Sequence, residues 1–175
     1  MQSTMQPPRR RGVAFSTGII FALIAAIVIF GFGALNGFHT GTAANPLWGW
    51  AWIFALFATP LLAGFVGALR SSRIGSGTLA GLWDGLFVGL WIAAYIMIVY
   101  YLAVSQAGSN LDATIKQVQD QMAQRGASVT ITRDTILASL IVADVLLVII
   151  FLGIGTMLGL IGALIGKAFA PRRRY

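Results

Sequence analysis

Four long apolar runs separated by short polar stretches make up most of this chain, at Val13–Leu35, Trp48–Leu69, Leu79–Val104 and Ile136–Gly166. Each is long enough to cross the ~30 Å hydrocarbon core of a bilayer as a helix, which takes about 20 residues. The pattern predicts an all-α integral membrane protein, a four-transmembrane-helix bundle made of two hairpins. A basic tail (1–12) precedes the first hairpin (13–69). A short basic link (70–78) joins it to the second (79–166), whose outer loop spans 105–135, and a second basic tail (167–175) closes the chain.

Within the runs, small residues recur every fourth position. Gly77, Gly81, Gly85, Gly89 and Ala93 mark the third span, and Gly155, Gly159 and Ala163 the fourth. Ala14, Gly18, Ala22 and Ala26 do the same in the first, and Ala51, Ala55, Thr59, Ala63 and Gly67 in the second. Lipid gives helices little hydrophobic reason to associate, so small residues that admit close backbone contact carry much of the packing. Such glycine-zipper rows in all four spans point mainly to contacts within one chain. The third span's row is the natural candidate for contact with another copy or a partner subunit.

The outer loop has a different period. Leu111, Ile115, Val118 and Met122 in "SNLDATIKQVQDQMAQRG" fall on one helical face. Asn110 suits the N-cap and Gly126 the stop. A short amphipathic helix in the second extracytoplasmic loop is expected, covering the bundle or docking a partner. Shorter echoes link the two halves, "GFVGALR" at 64–70 with "GLIGALIGK" at 159–167, and "LIAAIVI" at 23–29 with "WIAAYIMI" at 91–98. Either an ancient duplication or the limited alphabet of membrane helices accounts for them.

Composition agrees with the periodicity. Of 175 residues 58% are hydrophobic and 10% charged, against about 25% charged in soluble domains. The net charge of +7 would suit a nucleic-acid binder, but its placement does not. Arg9, Arg10 and Arg11 precede the first span, Arg70 and Arg73 occupy the central link, and Lys167, Arg172, Arg173 and Arg174 follow the fourth. Four crossings put all three clusters on one side, which the positive-inside bias makes cytoplasmic. Both termini are therefore expected inside, with Arg9, Arg10, Arg11, Arg172, Arg173 and Arg174 against anionic headgroups. The first run exceeds the 7–15 residues of a signal-peptide core and reads as a retained anchor. High alanine and glycine content suggests a bacterial plasma membrane.

Little else bears chemistry. There is no cysteine, hence no disulfide or thiol ligand. The single histidine, His39, sits in the first outer loop without a second ligand. No metal, no cofactor and no enzymatic activity are expected, because H-E-x-x-H, G-x-S-x-G and P-loop signatures are all missing. Tyr100, Tyr101, Trp48, Trp50 and Trp52 suit one interfacial belt and Trp83 the other. Pro60 after Thr59 predicts a kink in the second span.

Two carboxyls within the spans, Asp84 and Asp144, are the candidate polar site. Asp84 borders the glycine row near the inner face, where pairing with Arg70, Arg73 or Lys167 is expected. Proton or cation handling and headgroup contact are the alternatives. Asp144 falls near the outer boundary, too far away to form a couple with it. Two classes of function fit: a non-catalytic accessory, assembly or interaction subunit, and a small oligomeric proton- or cation-coupled transporter or channel using Asp84.

Overall fold

A computed structural model describes residues 12–35, 50, 53–105, 110–124, 126 and 131–170. Among them there is no strand. Helix α1 is Val13–Leu35. A π-helical turn, Phe54–Ala58, runs directly into α2, Thr59–Ser71. Helix α3 is Ile74–Ser105, α4 is Asn110–Gln124 and α5 is Arg133–Phe169. Four of these segments are long and apolar enough to cross a membrane: α1, the π-turn with α2, α3 and α5. The chain is a multi-pass membrane protein.

The link between α2 and α3 is shorter than the sequence pattern suggests. Only Ser72 and Arg73 separate the two helices. Ser72 takes the left-handed conformation, with φ 57°, and its N–H donates to the Ala68 carbonyl at 2.7 Å. The Ser71 hydroxyl donates to the Gly67 carbonyl at 2.7 Å. A turn closed by its own serines needs no longer loop, so α3 begins at Ile74, five residues before the apolar run. At 1.5 Å per residue its 32 residues span about 47 Å. The 37 residues of α5 span about 54 Å, both well beyond a bilayer core.

Helix α3 is the hub. It packs against α1, α2 and α5, and α2 in turn touches α1 and α5. Two of its faces do different work. Val88, Ile92, Tyr95 and Val99 form a buried stripe that joins Ala25 and Ile29 of α1 and Ala55 of the π-turn in a side-chain core. The glycine face meets α5 almost backbone to backbone. A Cβ placed on Gly155 would lie 2.6 Å from Gly85 Cα and 2.6 Å from the Gly81 carbonyl oxygen. One on Gly159 would lie 2.7 Å from Gly81 Cα. Carbon atoms rest about 3.5–4.0 Å apart, so only glycine fits this crossing.

Helix α5 carries a second glycine edge. A Cβ on Gly162 would strike the Leu61 carbonyl of α2, one on Gly166 that of Phe65, and one on Gly64 would lie 2.7 Å from Gly159 Cα. Helix α1 comes close to α3 at Gly18, where a Cβ would be 2.6 Å from the Ala80 carbonyl oxygen. Phe15 meets the Trp83 ring edge-on at 5.1 Å, and Phe30 meets Trp91 at 6.1 Å.

Helix α4 is fastened by polar contacts. The Arg133 guanidinium donates to both carboxyl oxygens of Asp112. Gln119 Nε2 donates to the Ile131 carbonyl at 2.8 Å, and close by the Tyr100 hydroxyl of α3 donates to the Arg133 carbonyl of α5 at 3.2 Å. Arg133 and Asp112 are both exposed, so their ion pair is a tether between α4 and the start of α5, with little weight in overall stability.

A buried carboxyl beside a π-turn as the candidate functional site

Asp84 is completely buried. It stands four residues before Val88 and so begins the same inward stripe that continues through Ile92, Tyr95 and Val99. Its partner is Thr59, whose hydroxyl lies 3.1 Å from Asp84 Oδ2. That hydroxyl also donates to the carbonyl of Ala55 at 2.6 Å. Thr59 and Ala55 are buried as well, and the second carboxyl oxygen, Oδ1, has no hydrogen-bond partner.

Local sequence explains why the hydroxyl is needed. In a π-turn each carbonyl looks to the N–H five residues on. For Ala55 that residue is Pro60, which has none. Thr59, one position before the proline, bonds back to that carbonyl through its side chain. Pro60 itself is buried at the first turn of α2, so the expected disturbance takes the form of a π-turn ahead of the proline. Such turns gather at functional sites.

The expected ion pair is absent. Among the described residues the only salt bridge is Arg133–Asp112, and Asp84 is not joined to Arg70, Arg73 or Lys167. Distance along the helices is the reason. Because α3 starts at Ile74, Asp84 lies ten residues, or about 15 Å, from the basic end. Thr59 lies twelve residues, or about 18 Å, from Ser71 at that same end. Both positions are therefore beyond the reach of a snorkelling arginine at that end.

Asp144 is buried too, at 8% exposure, but belongs to another level. Gly89 faces Val148 of α5, and continuing this antiparallel register puts Asp144 beside position 93 of α3. That is about 13 Å along the bundle from Asp84, so the two do not share a site. Gly77, Gly81 and Gly85 all face the chain's own backbone or Ala163 and present no free edge to a partner. Gly18, Gly64, Gly162 and Gly166 make equally close contacts. The spacing 159, 162, 166 is itself a helical edge that the sequence displays. His39, Trp48, Trp52, Arg9, Arg10, Arg11, Arg172, Arg173 and Arg174 lie outside the described residues.

The described residues form an all-helical multi-pass membrane protein with a buried carboxyl–hydroxyl pair between α2 and α3. No family model, curated protein or solved structure matches the chain.

Proposed function

We propose that this chain is a non-catalytic polytopic membrane protein, an accessory, assembly or interaction subunit of a membrane complex. One observation carries this reading: the Asp84 carboxyl, inside a spanning helix, is fully buried, with its one hydrogen bond inside the chain. A carboxyl used in that way sets helix register, and the glycine crossings around it hold the spans in one arrangement. The setting is a plasma membrane, bacterial by composition. Arg70, Arg73 and Lys167 mark the cytoplasmic end by the positive-inside bias, which puts α4 on the outer side and both basic tails against anionic headgroups.

A second reading has its own support. The unpartnered Oδ1 of Asp84 beside a π-turn and a proline is the arrangement of a proton- or cation-coupled carrier, in which a broken helix exposes a carboxyl by turns. Proteoliposomes separate the two. With a pH-sensitive dye trapped inside, the accessory reading expects the same proton leak from wild type, Asp84→Asn and empty vesicles. A pH-driven flux present in wild type and lost in Asp84→Asn overturns it in favour of the carrier.

A further inference from the structure

The hydroxyl of Thr59 has two acceptors in reach and one proton. It lies 2.6 Å from the Ala55 carbonyl and 3.1 Å from Asp84 Oδ2. If the hydroxyl donates to Ala55, the contact with Asp84 is a hydrogen bond only when Asp84 Oδ2 carries a proton and donates to Thr59 Oγ1. If the hydroxyl turns to an ionised Asp84, the Ala55 carbonyl loses the donor that Pro60 cannot replace. The carboxylate then holds a full charge on a single hydrogen bond.

We propose that Asp84 is a proton-binding site whose acid form completes a relay from Asp84 through the Thr59 hydroxyl to the Ala55 carbonyl, so that loss of the proton releases the π-turn at Phe54–Ala58. No titratable group faces this carboxyl from the elements packed around it, among the described residues. Gly18 of α1 abuts the backbone of Asp84, Thr59 stands opposite on α2, and the neighbouring Gly85 meets Phe151 and Gly155 of α5. The nearest basic residues are those of the α2–α3 turn, about 15 Å away along α3. A buried carboxylate without a counter-charge is strongly disfavoured in a bilayer interior, while the acid form satisfies the hydroxyl and the carbonyl together. Ionisation moves one proton out of the cluster and turns one hydroxyl by a single rotation. It leaves a stranded carbonyl where the helix already departs from α geometry. This relay is independent of the accessory reading and survives if that reading fails.

Infrared spectroscopy of the full chain in lipid reads it directly. At neutral pH a protonated-acid C=O band is expected in wild type, absent from Asp84→Asn and retained in Asp144→Asn. In Thr59→Val the band shifts to higher frequency as the acid loses its acceptor, and in Thr59→Ser it returns. If Asp84→Asn does not fold, persistence of the band in Asp144→Asn together with its shift in Thr59→Val still assigns it to Asp84. Carboxylate bands alone in wild type and in Asp144→Asn, or an acid band indifferent to Thr59→Val, overturn the proposal.

Discussion

Replacing Gly81 by alanine tests the backbone crossing of α3 and α5 at one of its tightest points. A Cβ there would meet Gly159 Cα, and would lie 2.6 Å from the Gly155 carbonyl oxygen and 3.0 Å from Gly159 N. All three are backbone atoms, so no side chain can swing aside. With carbon atoms resting at about 3.5–4.0 Å, the helices must part by about 1 Å. A gap of 0.5–1 Å forfeits roughly a quarter to a half of each dispersion contact across it, and overpacking costs about 1–3 kcal/mol. A rigid crossing belongs at the upper end of that range. Against it, alanine is the better helix former by about 1 kcal/mol. The net loss is about 2 kcal/mol, near thirtyfold in the folding equilibrium. Gly153→Ala is the control, since a Cβ there meets nothing within 4 Å and brings only the gain in helix propensity. Unfolding both variants by titrating a denaturing detergent into mild micelles, followed by circular dichroism, should separate them by about 3 kcal/mol, the overpacking term alone. Equal stability of the two, or a more stable Gly81→Ala, would refute the close crossing.

Other expectations concern the polar contacts. Thr59→Val keeps the shape but strands the Ala55 carbonyl and one carboxyl oxygen, so it should cost about 1–3 kcal/mol in the same titration, while Thr59→Ser should cost less. Pro60→Ala restores an N–H five residues after Ala55, and so should lessen the cost of Thr59→Val. If the two substitutions are simply additive, the π-turn account is wrong. At the α4 tether, the hydrogen bond from Arg133, aided by its charge, holds the Asp112 carboxyl below the usual carboxylate range. A depressed value means that the contact is present at neutral pH and is lost as pH falls through and below that range. The protection factors of amides in residues 110–124, measured against the intrinsic rate at each pH, should therefore fall in acid in wild type, and be low at both pH values in Asp112→Asn.

Much of this architecture is legible in the chain. Hydropathy alone locates the four spans, because a bilayer imposes length and polarity on each of them separately. The small-residue rows identify α3 and α5 as close-packing helices. Partner identity across space is what the pattern lacks. Thr59 and Asp84 are 25 positions apart, and each looks ordinary in its own helix. Ile74–Thr78 resembles a loop, with Gly75, Ser76 and Gly77 in succession, so the sequence puts Asp84 nearer the start of its helix than the ten residues the structure shows. Those residues are helical since a two-residue turn and the α5 contact at Ala163 override local propensity. Gly162 and Gly166 escape a strict four-residue search because the edge facing α2 steps by three and then four.

The accessory reading is tested most directly by native mass spectrometry of the tagged chain, extracted from its own membrane in mild detergent. The expected result is a complex of fixed stoichiometry with a second polypeptide, unchanged by tag position and weakened by Gly81→Ala. Recovery of the chain alone or only as its own oligomers, together with an Asp84-dependent proton flux in vesicles, would contradict it and leave the carrier.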